Sequence, residues 1–229
     1  MSLKPLFRAA PLACFLVLAA CGTGDSTVKA AQTADGEVAL PSVAAVAPTP
    51  AFRLVVEPAG NEARYRVREQ LVGHDLPNDA IGVTQAVTGE IAFGDDGAVI
   101  PEGSKITIDV SGLKSDQDRR DGYVRNRLLE TAKFPTVVLK PTSVRGAPKT
   151  LPTTGSTAFS LLGNLTVKGV TRPATWFLSA TFSPTTVTGS ASTSFAFADF
   201  GIPQPRVPVL LSVADTIKLE YEFSLTVKK

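Results

Sequence analysis

Glu69 is the residue whose type and place most invite chemistry. Ala63, Tyr65, Val67 and Leu71 alternate with Arg64, Arg66, Arg68 and Gln70, and Glu69 falls on the apolar side of that alternation. An ionised carboxylate there must find a partner or take up a proton. A rim position reaching solvent or an Arg fits the same pattern, and Gln85 poses the same question on the next segment. His74 lies in the turn-rich run Gly73-His74-Asp75-Leu76-Pro77-Asn78-Asp79. As the one His it cannot complete a common zinc set, so it reads as a solvated loop residue. Asp116, Asp118, Asp121 and Gly122 approximate a calcium loop, but Arg119 and Arg120 interrupt it and no Glu closes it. Helix capping and surface pairing account better for these residues. With one His, one Trp and two Cys in 229 residues, the chain lacks parts for a triad, a His-Cys metal cage or a disulfide framework. Its 23 Lys and Arg against 21 Asp and Glu give +2, too weak a field for nucleic acid.

The cysteines are better explained by export. Lys4 and Arg8 precede about a dozen mostly apolar residues, too few for the roughly 20 that span a bilayer. The run closes on Leu18-Ala19-Ala20-Cys21-Gly22, which resembles the lipobox of bacterial lipoproteins. That resemblance implies a signal peptide over 1–20, removed before a Cys21 that carries the lipid, and localisation to the cell envelope, anchored to a membrane facing the periplasm or exterior. An ordinary signal peptide cut at another small residue is the plainer alternative. Residues 21–51, rich in Ala, Thr, Ser, Val, Pro and Gly, bury too little apolar surface to offset chain entropy and read as a tether. A domain over 52–229 then remains, long enough for one sizeable core.

Positioning side chains in that domain falls to strands. Ile217, Leu219, Tyr221, Phe223, Leu225 and Val227 stand two apart with polar residues between, as do Ile106, Ile108 and Val110. Further strands are expected over 63–71, 83–93, 134–144, 156–168, 173–182 and 187–199, with a tight reversal at Lys168-Gly169-Val170. The region 115–132 reads as a short helix able to cap one end. The expectation is an all-β protein: an eight-stranded antiparallel sheet closed into a barrel, which leaves no open edge, with the short helix after the fourth strand. Such a barrel has room for one small ligand.

Several stretches resemble one family, the YceI-like bacterial proteins. Gly163-Asn164-Leu165-Thr166-Val167-Lys168-Gly169-Val170-Thr171-Arg172-Pro173 is similar to that family's Gly-Asp-Leu-Thr hairpin. Arg120-Asp121 with Phe134-Pro135, and Asp199-Phe200-Gly201, resemble its other short elements. Glu69 stands where the family often has His, and Asn164 replaces its usual Asp. The resemblance implies a lipocalin-like barrel that binds polyisoprenoid lipid, an isoprenoid quinone or polyprenyl chain, without catalysis and without a cofactor or metal. It implies that the inward face lines a tunnel. That face comprises Tyr65, Val67 and Glu69 on the first strand, Ile91 and Phe93 on the second, and Ile106 and Ile108 on the third. Leu128 and Phe134 follow around the helix, then Phe159, Leu161 and Leu165, then Trp176 and Leu178. Phe195, Phe197, Leu219, Tyr221 and Phe223 complete it. The partners are then isoprenoid lipid and, through Cys21, a membrane, with a homodimer allowed. The contrasting reading is a structural or protein-interaction module of the envelope with a filled core, since alternation alone does not separate a packed interior from a hollow one.

Overall fold

The computed structural model describes residues 48–229, and the alternating segments form its strands. In chain order these are β1 (Phe52–Val56), β2 (Glu62–Leu71), β3 (Asn78–Thr84), β4 (Val87–Phe93), β5 (Val99–Asp109), β6 (Thr136–Arg145), β7 (Gly155–Val167), β8 (Val170–Phe182), β9 (Thr186–Ala196) and β10 (Leu210–Lys228). Helix α1 (Asp118–Tyr123) continues as a π-helical stretch, Val124–Leu128, and a 3-10 turn spans Phe197–Phe200. The expected signal peptide, Cys21 and most of the expected tether lie outside the described residues.

Ten strands make eight ribbons. β1 and β2 run end to end along one edge of β10, with Val56 opposite Leu225 and Glu62 opposite Glu222. β3 and β4 continue one another along β2 and then β1, broken only at Gln85 and Ala86. The remaining strands follow in sequence order, each antiparallel to the last, and β10 returns to the first ribbon, so the sheet closes into an eight-ribbon barrel. The helical segment follows β5, the third ribbon, one connection earlier than expected.

Polar side chains stabilise the break between β1 and β2. Asn61, 5% exposed, donates from Nδ2 to the Glu57 carbonyl at 2.8 Å. Its Oδ1 accepts from the Tyr221 hydroxyl at 2.6 Å and from the Ser224 backbone N–H. Buried backbone groups that the kink would leave unpaired are thereby satisfied. The hairpin between β7 and β8 turns on Lys168 and Gly169 alone, with φ of 50° and 76°, the left-handed pair that matches strand twist in a two-residue turn. A Cβ on Gly169 would also lie 2.8 Å from the Phe134 ring.

One boundary moved. β9 stops at Ala196 rather than 199, because Asp199 Oδ2 accepts from the Ala196 N–H at 2.8 Å and folds Phe197–Phe200 into the 3-10 turn. Gly201, at φ 62°, ends that turn. The outer face carries ion pairs across the strands: Arg66 meets Asp79 at 2.9 Å and Glu220 at 3.3 Å, and Lys218 meets Glu220 at 2.8 Å.

Candidate functional site

The inward side chains do not meet at the barrel axis. They enclose a cavity of about 570 Å³, within the range of small-molecule sites. Leu54, Ile91 and Phe93 line it from the first ribbons, Ile106, Ile108, Val137 and Leu139 from the next, and Phe159, Leu161, Trp176 and Leu178 from β7 and β8. Phe195, Phe197, Leu219, Tyr221 and Phe223 line the remaining wall. The walls are therefore hydrocarbon over most of their length. Trp176, 4% exposed, is the one tryptophan, and its buried indole N–H has no hydrogen-bond partner among the described residues.

The helical segment closes part of one end. Tyr123, Val124, Leu128 and Leu129 all line the cavity, at the end where β5 finishes and β6 begins. Of the lining residues only Gln117, Arg119 and Val209 are exposed, and all three belong to the connections at this same end. The opening therefore lies between the start of α1 and the loop from β9 to β10. Pro205, Val207 and Leu210 extend the apolar lining out to it.

Polar groups gather beside this opening. Glu69, 8% exposed, accepts from Arg120 Nη2 at 2.7 Å, and Asn78 Nδ2 lies 3.4 Å from the same oxygen. The carboxylate on the apolar face is thus paired with an Arg, the structural outcome open to it, and the pair fastens α1 to β2. Arg120 also bonds Asp116. Burial alone would lower the guanidinium's pKa, but Glu69 and Asp116 more than offset it and hold it above its ordinary value. Tyr65 lies within the field of this cluster, and desolvation pushes its phenol up to about 12, so the hydroxyl stays protonated at neutral pH. Burial likewise raises the Tyr221 phenol, whose proton goes to Asn61.

The acidic residues at the start of the helix form a clamp. Asp121, 3% exposed, accepts from the Ser115 N–H at 2.8 Å and its hydroxyl at 2.6 Å, while Asp118 pairs with Lys114. His74 stands exposed in the loop between β2 and β3, its carbonyl accepting from Gln70.

Two residues expected in the tunnel wall lie elsewhere. Phe134 is half-buried outside the cavity, packed under Gly169 with Lys133 Nζ 5.0 Å from its ring centre. Leu165 is fully buried opposite Leu139 and Arg172 and does not line the cavity, although Leu139 and Val167 beside it do. The parity argument placed Leu165 inward correctly and had no means of telling filled interior from hollow. The other seventeen expected residues all line the cavity. Sequence reasoning passed over Val137, Leu139 and Phe182, although their two-residue spacing within strands could have found them. It also passed over Val207, Val209 and Leu210, which lie in or next to an aperiodic loop.

Comparison with known proteins agrees with this architecture. A polyisoprenoid binding domain from Saccharophagus degradans superposes with a TM-score of 0.57 at 14% identity, covering 79% of this chain and 99% of that one. BcnA of Burkholderia cenocepacia gives 0.55 at 15% identity, covering 76% and 99%. A UPF0312 protein of Azotobacter vinelandii is 33% identical over 79 residues, which span 33% of this chain and 38% of that relative's length. The YceI-like domain profile matches residues 55–225, most of the chain, and the protein therefore belongs to the YceI-like family.

Proposed function

We propose that this protein binds a polyisoprenoid lipid, an isoprenoid quinone or polyprenyl chain, in its barrel and holds it without chemical change, as an exported lipoprotein tethered to an envelope membrane through Cys21. The observation that carries this reading is the 570 Å³ cavity walled by aliphatic and aromatic side chains from every ribbon and opening at one end. A hydrocarbon chain needs no polar partners, and each methylene it buries contributes about 0.8 kcal/mol before ordering costs. The relative from S. degradans, named for polyisoprenoid binding, supports the same ligand class. Selectivity for a head group would rest at the opening, where Tyr65, Glu69 and Arg120 lie. Catalysis has no role in this reading, which rests on a cavity walled by hydrocarbon and on a Glu69 carboxylate paired with Arg120.

Trp176 makes the test direct. Delipidated protein titrated with an isoprenoid quinone should show saturable, stoichiometric quenching of its single tryptophan, which lines the cavity. Emission that stays unchanged beyond inner-filter loss would mean the chain does not enter.

A further inference from the structure

Five large apolar side chains are exposed among the described residues: Val72, Leu76, Phe177, Val209 and Leu211. Four of them stand together. Val72 and Leu76 belong to the loop leaving β2, Val209 and Leu211 to the start of β10, and the Val72 N–H donates to the Val209 carbonyl at 2.9 Å. Leu211 points outward for a stated reason. Leu210 pairs with Leu71 and Ser212 with Gln70, so Leu211 is the extra residue of a β-bulge. Bulges at barrel rims re-aim a side chain in this way. Leu76, at 77%, is the most exposed of the five and lies in the loop between β2 and β3.

This patch adjoins the opening. Val209 both belongs to it and lines the cavity, and its neighbours Val207 and Leu210 line the cavity as well. Apolar surface therefore runs from Val209, paired through its backbone with Val72, to the interior. We propose that this rim is a docking surface for a lipid bilayer, dipping Leu76, Val209 and Leu211 among the acyl chains so that the cavity exchanges its ligand with the membrane without passing it through water. The proposal rests on the lipid-binding reading, since only a water-insoluble ligand requires such a route.

Two observations favour a bilayer over a protein. A patch of four aliphatic side chains amounts to a few hundred Å², well under the about 800 Å² per partner of a stable dimer, and it has none of the aromatic anchors that concentrate in protein interfaces. The exposed charges around it, Lys114, Arg119 and Arg206 against Asp75, Asp116, Asp118 and Asp215, nearly cancel. Association driven by insertion of this kind should occur on uncharged phosphatidylcholine and resist salt.

An environment-sensitive fluorophore on Leu76→Cys, compared with one on Phe177→Cys, tests this on the full chain in phosphatidylcholine vesicles, the parent protein labelled alongside as background. Expected is a blue shift and quenching by brominated acyl chains at position 76 and not at 177, unchanged in high salt. Equal behaviour at the two positions, or a shift at 76 that salt abolishes, would overturn docking by insertion. A shift that needs only protein concentration and no vesicles would overturn it in favour of self-association. The second arm follows loading by Trp176 quenching: Leu76→Ser with Leu211→Ser should slow uptake of an isoprenoid quinone from vesicles about tenfold or more while leaving uptake from detergent intact. Equal vesicle rates would count against the proposal. Wild-type protein that takes up no quinone even from detergent would sink the lipid-binding reading alone, and the fluorophore contrast would still decide docking.

Discussion

Glu69 and Arg120 hold the helix against the barrel at the cavity opening, with side chains only 10% and 14% exposed. Removing one partner of such a pair leaves a buried charge short of compensation, so Glu69→Ala should destabilise the fold by about 3 kcal/mol in urea melts, the lower end for a broken buried pair because Arg120 keeps Asp116. A loss under half of that would assign the pair to the surface class. Leu161 and Phe197, 5% and 4% exposed, probe the interior instead. Each lines the cavity, so Leu161→Trp or Phe197→Trp should fill free space, lowering recovered prenyl lipid while costing little stability. In a filled core the same change would overpack at about 1 to 3 kcal/mol. Glu222→Gln, exposed and outside the cavity lining, serves as the control and should leave lipid recovery unchanged.

At the scale of elements, ion pairs and hydrogen bonds on the outside tie the ribbons together, and they titrate. The Asp79 carboxyl is held below its ordinary value by hydrogen bonds from Arg66 and Arg68, Glu130 by Lys168, and Glu57 by the Ser224 and Thr226 hydroxyls. Glu220 is also lowered: burial opposes the shift, and Lys218 and Arg66 outweigh it. Each folded pKa lies below the unfolded one, so the stabilisation is fully present above the ordinary values of 3.8 for Asp and 4.5 for Glu and is lost as pH falls through the lowered ones. Urea midpoints should therefore be level from pH 7 to about 5 and fall below pH 4.5, less steeply in Glu130→Gln. A midpoint that rises on acidification would contradict these pairings. The same elements show what was legible in advance. Strands with unbroken alternation, β7, β8 and the second half of β10, were readable because burial on one face leaves a period of two. β1 and β3 were not, since each is one half of a ribbon broken by a short irregular stretch. The end of β9 was missed because Asp199 competes for a backbone N–H, a local bond that periodicity does not register.

For the whole molecule, the proposed function makes anchoring and binding separate properties. Cys21 follows small residues at the end of a short apolar run, and the proposed mature chain would begin there, acylated. Cys21→Ser should release the protein from the membrane fraction while its urea midpoint stays put, because the strands that close the barrel among the described residues begin at Phe52 or later. Intact mass of the membrane-purified chain checks the modification, and an unmodified or differently cut terminus would remove the anchor. What was legible of the site divides along the same line. Seventeen of the nineteen expected wall residues do line the cavity, since parity chooses inward from outward. Leu165 and Phe134 mark where that reasoning ends: whether inward means against a ligand or against another side chain is set by ribbon tilt and by loops such as Ile202–Leu210, in which no period exists. The central claim is that the hollow holds lipid. Organic extraction of the purified wild-type protein followed by mass spectrometry tests it most directly: close to one prenyl lipid per chain is the expected result, and a protein free of lipid, with Leu161→Trp and Phe197→Trp both strongly destabilised, would contradict it and leave a filled-core interaction module in its place.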